Sequence, residues 1–457
     1  MLLSRILPAV SRLPRRFPLQ NPIRPLTMTG VQNSKATPEV RGLQAPTYEA
    51  PDLKLPSHEG PQFDAIMVGA GFAMFGSPEG PWNMARRAEV KLGPRLKVHA
   101  VIDPNEPRAR ACLDEKAKVF VRDSYKDTVI LPNLAAYAEK VKAGAAPVPK
   151  AVFVASPPQF RGGLESHTDL EVQINKFFPE SAIFVEKPIA TGAPWDKSVN
   201  QSKEVGTILE KQHKGVVSVG HCLRYLKSAQ LLKKILEENN LTVMATFGRY
   251  IMSYELAVKP EFWTLSKCQG PIIENGTHLA DLCRYFGGDV DLDSLSAHAI
   301  EADEKLGQLS KLGFDESVIP PYERIPRVTQ ASWKFTNGAV GSLLHGLILH
   351  DGDYAIELEV YADGYQFILQ DPYGEAKLLV RRPGSAEFET IDTPNDDPYY
   401  NEMSNFIDAV EGGDDPRILS GWDDAAKSYE FTWAIRNASE KSSAERRQRQ
   451  GIPAPSA

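Results

Sequence analysis

The chain has 457 residues, 42% of them hydrophobic, which is enough to bury a large core spread over two or three domains of ordinary size. A net charge of −7 gives no strong field over this length, and no basic stripe interleaved with aromatics marks a nucleic-acid surface. No apolar run approaches the roughly 18 residues that would span a bilayer, so neither nucleic acid nor membrane is an expected partner and small-molecule chemistry is the default.

The first residues carry Arg5, Arg12, Arg15, Arg16 and Arg24 with no acid before Glu39, a composition suited to a mitochondrial targeting segment. Pro8, Pro14, Pro18, Pro22 and Pro25 interrupt the amphipathic helix such a signal uses, and Met28 offers a second start, so cytoplasmic and mitochondrial locations both stay open. Residues 1–61 read as an extended arm or targeting segment. Phe63 to Val68 then reads as a buried strand running into Gly69-Ala70-Gly71, the start of a dinucleotide-binding turn. A helix from Ala85 to Lys91 and a strand from Leu96 to Ile102, ending at Asp103, complete a βαβ unit. Strand Ala151 to Ala155 ends in Ser156-Pro157-Pro158, a helical pattern covers Leu164 to Phe178, and strand Ala182 to Val185 delivers Glu186-Lys187-Pro188. Helix Trp195 to Gln212 and strand Val216 to Val219 close a parallel doubly wound domain over residues 62–224.

Beyond it the alternation gives way to consecutive strands at Thr242 to Met252, Leu295 to Ile300, Val328 to Thr336, Ala339 to Leu349, Tyr354 to Tyr361, Tyr365 to Leu369, Lys377 to Val380 and Glu387 to Ile391. Asn337-Gly338 and Asp363-Gly364 are hairpin dipeptides. Helices are expected at Tyr399 to Glu411 and Asp423 to Ser439. The fold class is therefore α/β plus α+β: a Rossmann sheet followed by a large open mixed, mainly antiparallel sheet over residues 225–440, with 441–457 as a loose tail. Cys112, Cys222, Cys268 and Cys283 have no CxxC spacing and read as reduced, packed thiols rather than disulfides or metal ligands.

Gly69 and Gly71 allow the sharp turn and the close approach of a pyrophosphate to backbone amides, with Phe72 opening the following helix. Met74 stands where a third glycine would permit tight helix packing. Asp103 is placed to accept from ribose hydroxyls and to repel a 2′-phosphate, which favours NAD, while the nearby Arg108 leaves NADP open. Lys187, at the carboxyl end of a buried strand, lies on the sheet edge where open α/β sheets bind ligands. Glu274 and His278 are four apart, so one helical face can present both, and the carboxylate would orient the imidazole and raise its pKa.

Together, Gly69-Ala70-Gly71, Ser156-Pro157-Pro158, Glu186-Lys187-Pro188 and Glu274-Asn275-Gly276-Thr277-His278-Leu279-Ala280-Asp281 resemble the Gfo/Idh/MocA oxidoreductases over about residues 63 to 439. The resemblance implies Lys187 and His278 as catalytic residues with Glu274 as their helper, the lysine polarising a substrate oxygen and the histidine acting as acid/base in hydride transfer to or from a sugar, polyol or related cyclic alcohol. It implies a cis bond before Pro188, contacts of Ser156, Pro157 and Glu186 with the nucleotide, substrate contacts from Arg224, Tyr225, Trp263 and Asp281, and a homodimer or homotetramer formed through the open sheet. Relatives with His at the position of Arg161 do not pass that residue to this chain. Two other functions on the same fold remain open at this stage, a non-catalytic nucleotide-binding regulator and an NAD-dependent glycosidase.

Overall fold

The computed structural model describes residues 59–76, 82–118, 121–254, 263–312, 314–350, 354–413 and 417–453; the expected N-terminal arm or targeting segment lies almost wholly outside them. Six short strands build the first sheet: β1 (Phe63–Val68), β2 (Leu96–Ile102), β3 (Val129–Leu131), β4 (Ala151–Val154), β5 (Ala182–Val185) and β6 (Val217–Val219). All pairings are parallel and the order is β3-β2-β1-β4-β5-β6. β4 and β5 are buried along their whole length, as a sheet covered on both faces requires.

The strand order reverses between β1 and β4, which opens a crevice at the carboxyl edge of the sheet. Backbone pairing continues one residue past the strands there: Gly69 N–H donates to Ile102 O, Ala155 N–H to Val68 O, Glu186 N–H to Val154 O and Gly220 N–H to Val185 O, all at 2.8–2.9 Å. Those bonds set the glycine turn, the Ser156 loop, Glu186-Lys187 and Gly220-His221 side by side along one edge.

The second sheet has eight strands: β7 (Val243–Ser253), β8 (Val290–Ile300), β9 (Val328–Phe335), β10 (Val340–Leu349), β11 (Tyr354–Ala362), β12 (Tyr365–Gln370), β13 (Lys377–Arg381) and β14 (Glu389–Asp392). Their order is β14-β13-β12-β11-β7-β10-β9-β8, with β7 and β10 parallel and every other pair antiparallel. Gly338 and Gly364 adopt φ of 92° and 75° in the two hairpins the dipeptides predict. The inner face packs on helix Thr277–Gly287: a side chain at Gly248 of β7 would meet Cys283 Sγ at 3.2 Å, so glycine lets helix and sheet close together.

The last two helices differ from the sequence expectation in extent and in placement. Helix Pro398–Glu411 returns to the first sheet, where Phe406 is fully buried and stands edge-on to Phe153 and Phe184 with ring centroids 6.0 and 5.3 Å away. The final helix runs from Trp422 to Gln450, so residues 441–450 are not a loose tail: Ser443 and Arg447 are buried, and Arg447 grips Asp303 with two hydrogen bonds of 2.9 and 2.6 Å. Trp422, Tyr429 and Trp433 on this helix pack under the first sheet while Phe431 and Ile435 join the core of the second. The predicted helix at Leu164 begins only at Leu170, the preceding residues forming turns held by Glu171, whose carboxylate accepts from Gly162 N–H at 2.8 Å. Among the described residues no helix is long and apolar enough to cross a membrane.

Because Phe406 joins the chain's late helix to the first sheet, Phe406→Ala is expected to lower unfolding free energy by about 3–5 kcal/mol, read as an earlier denaturant midpoint. An unchanged midpoint would show that this contact does not hold the helix.

Candidate active site

Gly69 has φ of 94°, and a Cβ there would lie 2.7 Å from the backbone nitrogen of Ser156. Both the left-handed conformation and the close approach of two loops therefore require glycine. Gly71 is different: its φ is −87°, and a Cβ would find nothing within 4 Å. Among the described residues the space in front of it is open. The helix that follows is one turn, Phe72–Phe75, with Phe72 about half exposed and Met74 fully buried in the core. The longer crossover helix, Met84–Leu92, starts separately on an Asn83 cap, so Met74 replaces the third glycine by packing beneath a single turn.

Asp103 stands at the end of β2 and accepts from Ala70 N–H at 2.6 Å and from Asn105 N–H at 2.7 Å, one bond on each carboxylate oxygen. It thus braces the glycine turn, and each oxygen keeps further lone-pair capacity for a ribose hydroxyl. Ser156 is beside Gly69, and its Oγ is buried without a hydrogen-bond partner among the described residues. Pro157 is extended and leads into the short turn Pro158–Phe160, while Glu186 is enclosed, its carboxyl pushed up by burial and held back in part by the Lys187 charge.

The Lys187–Pro188 bond is cis, as the resemblance implies. Lys187 Nζ reaches the second domain, where it donates to the backbone carbonyl of Glu274 at 2.9 Å and lies 3.7 Å from Glu274 Oε1. Residues Ile272–Gly276 form a π turn that passes into helix Thr277–Gly287. Bonds in a π turn run to the fifth residue rather than the fourth, so residues four apart no longer share the α-helical face. This corrects the expected Glu274–His278 pair: Glu274 turns to Lys187, and His278 Nδ1 is buried with no hydrogen-bond partner among the described residues. The expected rise in the histidine's pKa is also reversed, because burial and the neighbouring Lys187 charge hold His278 well below the usual imidazole value. Its ring faces Tyr373 edge-on at 5.6 Å.

Of the four residues expected to touch substrate, Arg224, Tyr225 and Asp281 make contacts at the domain junction and Trp263 is buried in the core of the second sheet. Arg224 and Asp281 form a buried bidentate pair at 2.8 and 2.6 Å, and Ser428 Oγ of the last helix donates to Asp281 Oδ1 at 2.6 Å. Arg224 also pairs with Asp424 at 2.6 Å. Tyr225 Oη accepts from Leu419 N–H at 2.9 Å, and Trp263 is buried with its ring 4.0 Å from that of Tyr254. Residues that sequence reasoning left without a role line the same junction. His221 directly follows the β6 edge with its Nδ1 3.5 Å from Asp281 Oδ2. Tyr373 enters from the loop after β12, and Tyr250 stacks on His345 at 5.3 Å across paired strands. For His221 the sheet-edge argument used for Lys187 was available; for Tyr373 no local signal existed.

Two family models match this architecture in order. Residues 63–221 match the oxidoreductase family with NAD-binding Rossmann fold, and residues 224–365 match an oxidoreductase C terminal domain. The chain belongs to the Gfo/Idh/MocA oxidoreductase family. Two Schizosaccharomyces pombe relatives, uncharacterized proteins UNK4.17 and C12C2.04, are 40% and 41% identical over 384 and 386 residues, which is 84% of this chain and 93% and 99% of theirs. Among solved structures, levoglucosan dehydrogenase in complex with NADH and levoglucosan superposes with a TM-score of 0.59 at 16% identity, covering 83% of this chain and 98% of that one. UDP-N-acetylglucosamine 3-dehydrogenase from Acidithiobacillus ferrooxidans gives 0.58 at 14% identity over 83% and 98%. At these identities the two structures show a shared fold.

The nucleotide cofactor of a Gfo/Idh/MocA protein fits the residues present. Gly71 leaves room for a pyrophosphate, Ser156 Oγ has an unmet hydrogen bond, and Asp103 fixes the turn between them. Gly71→Ala is expected to fold with an unchanged melting temperature and to weaken NADH binding about 10-fold or more, since a methyl enters the phosphate space without touching protein. Gly69→Ala should lose both stability and binding. Equal NADH affinity for Gly71→Ala and wild type, by fluorescence titration, would place the dinucleotide elsewhere.

Proposed function

We propose that the protein is an NAD-dependent oxidoreductase that moves a hydride between nicotinamide and the CH–OH carbon of a sugar, polyol or related cyclic alcohol. The observation that carries this reading is the reach of Lys187 from the end of β5 to the Glu274 carbonyl, which puts an ammonium between the nucleotide edge and the second domain. One of its three protons is spent on that carbonyl, and the others are free to meet a substrate oxygen. A bound nicotinamide supplies the two-electron hydride chemistry.

Lys187 stabilises the negative charge that develops on the substrate oxygen as the alcohol is oxidised, and polarises the carbonyl in the reverse direction. In a cleft with little water this electrostatic contribution is larger than at a surface. A histidine of the junction exchanges the hydroxyl proton, and His278 is the one the family motif supplies. The buried polar atoms near the junction favour a polyhydroxylated substrate: among the described residues Tyr373 Oη, His345 Nε2 and Asn275 Oδ1 have no hydrogen-bond partner. That fits the sugars in the names of the two structural neighbours. Asp103 at the β2 end favours NAD over NADP, since a 2′-phosphate would meet its carboxylate. Assembly into dimers or tetramers through the open sheet is part of the same reading, with Met244, Phe247 and Val340 exposed on that sheet to supply apolar contact.

Purified protein mixed with NAD and a panel of sugars and polyols is expected to form NADH. Lys187→Ala should bind NADH with affinity within about twofold of wild type and lose about 10²–10⁴ in kcat, the range typical for removing one such group. Normal turnover by that variant would refute the role given to Lys187. Release of sugar from a glycoside with no net NADH would replace the dehydrogenase reading with glycoside cleavage.

A further inference from the structure

The charge of Lys187 acts on two histidines, one from each domain. His278 comes from helix Thr277–Gly287, and His221 from the residue pair that follows β6. Both rings are buried, at 9% and 3% exposure, and both feel the Lys187 charge. They differ in what stands behind them.

An imidazole that takes a proton inside a dry cleft becomes a cation, and a buried cation without a nearby carboxylate is costly. Among the described residues no carboxylate is in such contact with His278: Glu274 is engaged with Lys187 and the ring edge meets Tyr373, while the Nδ1 of both histidines is without a formed hydrogen bond. Behind His221 there is Asp281, with Oδ2 3.5 Å from Nδ1. That carboxylate cannot swing away, because Arg224 holds both of its oxygens and Ser428 holds one. Its pKa is pulled well below the usual carboxylate range by Arg224 and His221, against the effect of burial, so it stays ionised. A separation of 3.5 Å is longer than a formed hydrogen bond, and catalytic contacts of this type commonly shorten when substrate binds.

We infer that His221 is the acid/base residue of the proposed reaction, with Asp281 as its positioning residue and His278 as a neutral hydrogen-bond partner of the bound alcohol. This inference rests on the hydride-transfer reading given above. Asp281 accepts from Nδ1–H and so fixes the tautomer that leaves Nε2 with a lone pair, the logic by which a carboxylate orients a catalytic histidine elsewhere. In the oxidising direction the substrate O–H bond breaks and its proton forms the Nε2–H bond of His221. The electron pair left on oxygen closes the C=O bond as the carbinol hydride departs to nicotinamide, and Asp281 remains a carboxylate throughout. The charged groups around His221 are Asp281 and Asp424, which favour its protonated form, and Arg224 and Lys187, which oppose it; burial outweighs them and lowers its pKa to about 4. The ring is therefore neutral, and able to accept a proton, at neutral pH. On His278 the influence of Asp281 is the smallest of those acting, behind burial, Lys187 and His221.

The tautomer is readable without a substrate. In the full chain labelled with ¹⁵N-histidine, and with His221 assigned by comparison with His221→Asn, a proton on Nδ1 is expected, together with its loss or displacement in Asp281→Asn. A proton on Nε2 of His221 in the wild-type chain would overturn the proposal. With a sugar or polyol that turns over, His221→Asn is expected to reduce kcat by about 10²–10⁴-fold and to remove the acid-side limb of the kcat profile, while His278→Asn raises KM and keeps that limb. If His278→Asn removes the limb and His221→Asn keeps it, the acid/base role belongs to His278 and the inference is wrong. A panel on which the wild type binds NADH but reacts with nothing strikes the hydride reading itself, whereas the tautomer result sustains or strikes the His221–Asp281 pair on its own.

Discussion

A lysine at the end of one buried strand donates to a backbone carbonyl on a different domain, and the rest of the site is arranged around that bond. Lys187 Nζ to Glu274 O is a contact between residues 87 apart in sequence, and it requires the first sheet, the π turn and helix Thr277–Gly287 to be in register. The Lys187 side chain is 14% exposed, so its charge is weakly screened by water. The edge bonds from Gly69 to Gly220 put the glycine turn, the Ser156 loop, Lys187 and His221 along one line.

That junction is made rigid by charge. Arg224 lies on the turn after β6, Asp281 on the helix that carries His278, and Asp424 and Ser428 on the last helix; all four meet in one buried network. Removing one partner of such a pair leaves a buried charge uncompensated, a larger penalty than the pair's own net stabilisation. The network therefore fixes the orientation of the two domains' functional residues more than it adds to stability. It also explains why a helix at the very end of the chain packs against both sheets, with Trp422 donating to Ser202 O at 2.8 Å on one side and Phe431 stacked edge-on to Trp333 at 4.7 Å on the other.

Much of this was legible in the residues. Unbroken apolar runs announced β4 and β5, glycine pairs announced the nucleotide turn, and Asn337-Gly338 and Asp363-Gly364 announced two hairpins. What was missed has physical reasons. β3 is a three-residue, half-exposed edge strand, too short for any pattern, and helix Glu106–Lys116 is mostly charged with little buried surface. The Glu274–His278 spacing misled because a four-residue interval places two side chains on one face only in an α-helix, and here a π turn intervenes. The resemblance offered Arg224 and Asp281 as substrate contacts; that they pair with each other across 57 residues of sequence is a tertiary fact no local pattern carries. The final helix was legible from Asp423 to Ser439, but its last turns are charged and polar and read as a solvated tail; only the tertiary contacts of Ser443 with Glu301 and of Arg447 with Asp303 bury them.

The central claim is direct hydride transfer across the Lys187 junction. It is tested by giving the protein NAD and an alcohol substrate that carries deuterium on its carbinol carbon, then locating the label by mass spectrometry. The account predicts deuterium on the nicotinamide ring of the reduced cofactor in stoichiometric amount. Label appearing in water instead, or NADH formed without it, would contradict it.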